Sequence, residues 1–251
     1  MNLVRRLTPE WIAYIESIMG GERQGFIKAM GDRIYTNELT SHLLFPGSTV
    51  SINIMTAVLN YIASAANRHH GGDVKSPKVV AIPHKWYDAY VVDKYLNGDD
   101  AARKILDGHF NVRPDNFDKI FCIIVPILRK PDHWTLGVIY PQARGFAHLN
   151  SEWPLDPDEN ISQLRYILQV IKGADYDAQE WGLLPWFYYS PRQACEGDSG
   201  VCAIANAECA VLGVNPRESW DPIDVRDHKR LMVGALLLCR DYSKLVRMGD
   251  V

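Results

Sequence analysis

Long apolar runs are absent: nowhere in the 251 residues does an uncharged hydrophobic stretch reach the ~18 positions that read as a membrane-spanning helix. Residues Met1 to Arg6 run straight into a mixed polar segment without the apolar middle of a secretory signal, so no leader is expected. Cysteine is scarce. The five thiols, at 122, 195, 202, 209 and 239, are odd in number and include no Cys-x-x-Cys pair, which argues against a secreted disulfide framework and gives a zinc site no support. A reducing, intracellular setting, nucleus or cytoplasm, is expected. Excess charge of either sign is also lacking. The formal net charge is −3 and no dense Lys/Arg cluster occurs, so neither nucleic acid nor a membrane surface is an expected partner. No Pro/Ser-rich linker divides the chain, and no internal repeat is visible.

Core-forming material is plentiful, with 47% hydrophobic residues and seven tryptophans. Residues 1–48 are the least periodic part and are expected as an N-terminal helical extension to a main domain over 49–251. In the extension, Thr8-Pro9 opens a helix with Trp11, Ile12, Ile15 and Ile18 on one face. Ile54, Met55, Val58, Leu59 and Ile62 then predict a buried helix from Ser51 to Asn67. His69-His70 reads as a solvated loop rather than a metal site, because no further ligands stand at helical spacing nearby. A short strand over 78–82 precedes helices over 86–95 and 99–106, separated by Asn97-Gly98. Residues 119–125 are a β-branched run suited to a strand covered on both faces, followed by a connector from Pro126 to Asp132. Strands over 134–140 and 145–149 form a hairpin. Helices over 160–172, 201–212 and 224–245 and a strand over 186–189 complete an α+β set, a small, mostly antiparallel mixed sheet flanked by helices.

The chemistry centres on Ser190-Pro-Arg-Gln-Ala-Cys-Glu-Gly-Asp-Ser-Gly-Val-Cys202. A polar turn delivers the Ser199 hydroxyl to the start of a helical segment, where free backbone N–H groups and the positive dipole end converge. Acyl transfer needs an activated nucleophile and an oxyanion site at one such place. It also needs a base, held by an orienting group. His133 stands at a strand start beside Trp134, and Asn150 stands at the end of the next strand, placed to hold its ring.

These segments fall into a pattern: Asp118-Lys-Ile-Phe, Pro126, Asp132-His133-Trp134-Thr-Leu-Gly-Val-Ile-Tyr140, Gly145-Phe-Ala-His-Leu-Asn-Ser151 and Gln193-x4-Asp198-Ser199-Gly200-Val-Cys202. Their order resembles the ubiquitin-like-protein-specific cysteine proteases, the SUMO/sentrin protease family, whose pattern is His-Trp-x-Leu, then Asp-Ser, then Gln-x4-Asp-Cys-Gly. The resemblance spans residues 50–245. It implies a papain-like/adenovirus-protease-like cysteine proteinase fold for 49–251 and an enzyme that cleaves after the C-terminal glycine of a ubiquitin-like modifier. SUMO is the first candidate, with NEDD8 and ubiquitin behind it. By that resemblance His133 is the general base, Asn150 its orienting group and Ser199 occupies the nucleophile position. Gln193 and the residue 199 N–H donate to the oxyanion, and Trp134 covers the tunnel for a Gly-Gly tail. No cofactor or metal is implied.

Three departures bear on activity. Ser199 replaces the thiol, either as a Cys replacement or as a natural variant, and a hydroxyl stays protonated where a thiol ionises; little turnover is expected. Asn150 stands where the family has Asp, as papain-like enzymes allow. Ser48-Thr-Val-Ser-Ile-Asn53 replaces a Trp-Leu-Asn-Asp element, which changes one tunnel wall. A catalytically silent binding module for a ubiquitin-like protein and a YopJ-type acyltransferase are the alternative functions. Gly197-Asp198-Ser199-Gly200 also spells a chymotrypsin-like motif, but the His context and the strand number of that fold are lacking.

Overall fold

Residues 7–20, 25–29, 32–45, 47–73, 75–87, 94–129, 132–152, 158–184 and 190–239 are described by the computed structural model. Thr8 precedes helix α1 (Pro9–Met19), with Pro9 in the first turn as expected. Ile15 and Ile18 are buried, but Ile12 is 36% exposed, so the apolar stripe is narrower than its sequence suggests. The rest of this region is not purely helical. An antiparallel hairpin, β1 (Phe26–Ala29) and β2 (Asp32–Tyr35), precedes α2 (Thr36–Leu39) and a wide π-type turn over Thr40–Leu44.

Helix α3 (Ile52–His69) matches its hydrophobic period. Ser51 caps it: its hydroxyl accepts from the Ile54 N–H at 3.3 Å and donates to Glu38 Oε1 at 2.6 Å. Next come β3 (Val79–Ala81), α4 (His84–Tyr87) and α5 (Lys94–Phe110). Residues 88–93 of the helix expected over 86–95 lie outside the described residues. Helix α5 runs through Asn97-Gly98 instead of breaking there. A helical glycine costs about 1 kcal/mol, and burial of Ala102 and Leu106 from the same helix outweighs it.

After α6 (Pro114–Phe117), strand β4 (Cys122–Arg129) continues through Pro126, where a connector was expected. The register explains the tolerance. The Ile82 N–H bonds to the Ile124 carbonyl, so residue 126 also faces the β3 side, beyond the end of that strand at Ala81. No ladder bond is lost by the missing proline N–H. Strands β5 (His133–Tyr140) and β6 (Gly145–Leu149) form the expected hairpin, with Arg144 left-handed at φ 46 in its turn. Helix α7 (Asp158–Lys172) leads to a short β7 (Gly182–Leu183), which the sequence did not announce; the strand expected over 186–189 lies outside the described residues.

Helices α8 (Ser199–Leu212), α9 (Pro216–Ser219) and α10 (Pro222–Asp224) follow, then a π-type turn over Val225–Lys229 and α11 (Arg230–Cys239). The helix expected over 224–245 is observed as a continuous helical run as far as residue 239, widened to a π-type stretch over Val225–Lys229, and its remainder lies outside the described residues. The main sheet has the order β3-β4-β5-β6-β7, antiparallel at its two inner pairings and parallel at both edges. It is an α+β architecture around a mixed sheet.

Alternation along β5 sorts the core into two layers. Trp134, Leu136, Val138 and Tyr140 join the cluster containing α3 and α8, while Ile139 joins the opposite cluster with Phe146 and the α7 side chains. Helix α8 is buried from Ser199 to Val211, and its alanines allow close approach to the sheet and α3. His70 is not a solvated loop residue: its Nε2 lies 2.8 Å from the Val211 carbonyl, and its ring stacks on Phe121 at 4.7 Å. Among the described residues no His/Cys/Asp/Glu group is arranged to hold a metal, and no helix is long and apolar enough to cross a membrane.

Candidate active site

Ser199 is the first residue of α8, 2% exposed, with Asp198 as its N-cap residue. The Ser199 Oγ accepts from the Trp134 N–H at 3.1 Å, which ties the helix start to the start of β5. Gly200 is required by that contact. A Cβ there would lie 2.5 Å from Val50 Cγ2 and 3.2 Å from Trp134 Cδ1. Trp134 is 1% exposed, and its indole N–H donates to the Val50 carbonyl at 2.7 Å, with the His84 ring edge-on at 5.5 Å.

A buried ion pair holds the turn ahead of Ser199. Arg230 Nη2 donates to Asp198 Oδ1 at 2.5 Å, with both side chains 1% exposed. The same guanidinium reaches the carbonyls of Leu43, Ser48 and Gly197 at 3.1, 2.9 and 3.2 Å. Asp198 Oδ2 takes the Cys195 N–H at 3.0 Å. Gly197 lies so close to the 43–48 segment that a Cβ would sit 1.9 Å from the Gly47 carbonyl. Three chain segments, 43–48, 197–198 and α11, thus meet at Arg230.

His133 and Asn150 are brought together as the sequence suggested, with His133 Nε2 2.6 Å from Asn150 Oδ1. The Glu152 N–H donates to the same Oδ1 at 3.0 Å. A backbone N–H is always a donor, so this atom is the amide oxygen and His133 donates to it from Nε2. Nδ1 is therefore the nitrogen left for a proton in flight. Glu152 Oε2 lies 3.5 Å from Nδ1.

Gln193 is held from both ends by Ser151. Its N–H donates to the Ser151 carbonyl at 2.9 Å, and its Oε1 accepts from the Ser151 hydroxyl at 2.8 Å. With Oε1 engaged, the Nε2 end of the carboxamide is the end left to donate elsewhere. Ser190, at the head of the loop, accepts from Asn206 Nδ2 on α8 at 2.9 Å.

The nearby thiols are not substitutes for Ser199. Burial, then the charge of Asp198, pushes Cys202 up to about 12, and burial first, then Glu208, pushes Cys209 up to about 12, so both stay protonated. Cys195 is exposed, with Arg226 Nη1 3.9 Å from its sulfur. Sequence reasoning missed Ser151, Glu152, Val50 and Arg230. The first two adjoin Asn150 and were readable as neighbours of a site residue. Val50 lies in the 48–53 segment already read as an altered tunnel wall, but only the fold shows its carbonyl taking the Trp134 indole N–H, and Arg230 carries no local signal.

No protein-family model and no curated protein matches the chain. Solved structures do. The catalytic domain of the Chaetomium thermophilum Ulp1-like SUMO protease gives a TM-score of 0.85 at 25% identity, over 95% of this chain and 92% of that one. SUMO protease Ulp1 with its catalytic cysteine oxidised to a sulfenic acid gives 0.76 at 17% identity, over 96% and 99%. The C-terminal Ulp1 protease domain in complex with Smt3, the yeast ortholog of SUMO, gives 0.74 at 16% identity, over 95% and 98%. The 186–189 strand aside, the elements that carry His133, Asn150, Gln193 and Ser199 are those the sequence led to, whereas a chymotrypsin-like all-β fold is excluded by the helices around a mixed sheet. In fold, and over nearly its whole described length, the chain is similar to the Ulp1-like SUMO protease catalytic domains.

Proposed function

We propose that this chain is a thiol-protease scaffold that takes the C-terminal tail of a ubiquitin-like modifier, SUMO before NEDD8 or ubiquitin, with serine standing in the nucleophile position. The observation that carries the reading is the His133–Asn150 bond, which commits Nε2 to the amide oxygen and leaves Nδ1 as the base. With a thiol at 199, Nδ1 takes the sulfur's proton and the thiolate attacks the carbonyl of the modifier's last glycine. The oxyanion is received by the Gln193 carboxamide N–H and the residue 199 N–H at the head of α8. The protonated ring then gives its proton to the departing amine, and water, activated by the same nitrogen, releases the modifier. Trp134, packed beside Ser199, is the tunnel residue in this reading.

Ser199 alters the first step. A hydroxyl is far less acidic than a thiol, and no orienting carboxylate stands at Asn150 to support a stronger base. The chain as it stands binds the modifier and turns over slowly or not at all. The test is hydrolysis of SUMO, NEDD8 and ubiquitin carrying a C-terminal fluorogenic group. Ser199→Cys is expected to cleave one of them, SUMO first, and His133→Ala in that background to abolish cleavage. Failure of Ser199→Cys on all three removes the protease reading.

The second reading, a silent binding module, is favoured by the Ser199 hydroxyl already serving the Trp134 N–H. Tight binding of a modifier by the chain as it stands, with no activity gained in Ser199→Cys, selects it.

A further inference from the structure

Neutral Asn150 orients His133 but brings no negative charge to it, and the structure holds a carboxylate two residues on. The Glu152 N–H is fixed on Asn150 Oδ1 at 3.0 Å, and the preceding Ser151 is 2% exposed and bonded twice to Gln193. The backbone of 150–152 is therefore anchored, and it presents Glu152 Oε2 3.5 Å from His133 Nδ1. The exposed carboxylate of Asp132 precedes His133 in the chain, but it forms no ion pair with the ring among the described residues. Arg129 is its register partner on β4. His148 on β6 is pushed down to about 3 by burial, then by Arg129 and His133, and is neutral near pH 7. Among the described residues, Glu152 is the ion-pair partner of His133.

We infer that Glu152 is a positioning residue for the His133 ring. Its carboxylate faces the proton that Nδ1 acquires and so supplies the charge support that Asn150 lacks. This rests on the reading of His133 as the base. The proton balance is simple: the thiol of Ser199→Cys gives its proton to Nδ1, and Glu152 stabilises the resulting imidazolium without taking the proton. The Glu152 side chain is 59% exposed, so its effect is screened by salt and it is free to give way when the nucleophile approaches Nδ1.

The test compares Glu152→Asp, Glu152→Gln and Glu152→Lys in the Ser199→Cys background, on the modifier substrate that variant cleaves. Glu152→Gln keeps shape and removes charge, and a kcat roughly 1.5–5-fold lower with KM unchanged is expected at low salt. Glu152→Lys falls further, and Glu152→Asp retains part of the rate. The gap between Glu and Gln closes at high salt, which a packing role would not produce. Equal kcat for Glu and Gln at low salt, or a loss that is unchanged by salt or lies in KM, overturns the inference. A readout independent of turnover uses the chain with Ser199 in place. There the His133 Nδ1 nitrogen resonance is expected to differ between parent and Glu152→Gln at low salt and to converge at high salt, and identical resonances at low salt also overturn it. An inert Ser199→Cys with a shifted resonance sinks the protease reading and leaves Glu152 as the ring's charge partner.

Discussion

Arg230→Met is the perturbation whose size follows most directly from the structure. Arg230 and Asp198 are each 1% exposed, so removing the guanidinium leaves a buried carboxylate with the Cys195 N–H as its remaining donor among the described residues. The carbonyls of Leu43, Ser48 and Gly197 lose their donor at the same time. Breaking a buried pair from one side costs about 3–5 kcal/mol, a large part of the roughly 5–15 kcal/mol of a whole domain. For a chain of this length that is a fall in Tm of roughly 6–20 °C. Urea unfolding of parent, Arg230→Met, Asp198→Asn and the double variant measures it. The double variant is expected to be more stable than Arg230→Met alone, because no uncompensated charge remains. A loss under about 1 kcal/mol for Arg230→Met, or simple additivity in the double variant, refutes the clamp.

Three further outcomes follow from named contacts. Gly197→Ala places a methyl against the Gly47 backbone carbonyl at 1.9 Å, so it is expected to destabilise by about 1–3 kcal/mol, and parent-like stability in urea would contradict the close approach. His148 lies below its ordinary 6.5 in the fold, so its stabilising contribution is full above about 6.5 and is lost as pH falls toward 3. The unfolding free energy from urea titrations is expected to fall less steeply from pH 7 to pH 4 in His148→Gln, by up to about 1.4 kcal/mol per pH unit for the single proton, and parallel slopes would contradict it. Ser151→Ala releases the Gln193 oxygen, so in the Ser199→Cys background it is expected to lower kcat several-fold, and to have no effect once Gln193→Ala is present; an equal effect in both backgrounds would detach Ser151 from Gln193.

The helix and strand periods carried most of the fold because they report burial directly. Ile54 to Ile62 gave α3, and the β5–β6 hairpin was read nearly residue for residue. Errors arose where tertiary packing overrode a local signal. Gly98 did not stop α5, because buried residues of that helix hold it in place, and Pro126 did not stop β4, because its missing donor faces no neighbour. The pair His133 and Asn150 was legible since both sit at ends of adjacent strands, so strand order alone fixes their approach. Which ring nitrogen faces Asn150 was not legible, because it depends on the rotation of the His133 side chain, and that the amide oxygen is the atom it meets depends on a backbone N–H two residues further on. Arg230 was equally hidden. It opens α11 at the end of a polar run, and its partners come from residues 43–48 and 197–198.

The central claim, that His133 serves residue 199 as its base, is tested most directly without any modifier. In Ser199→Cys, the rate of alkylation of the introduced thiol is measured against pH, with the site mapped by mass spectrometry to separate it from exposed Cys195. An imidazole in reach yields a thiolate well below the ordinary thiol range near 8.5, so fast alkylation in mildly acidic solution is predicted, and its loss in His133→Ala. A thiol that reacts only above the ordinary range, at the same rate with and without His133, would contradict the account.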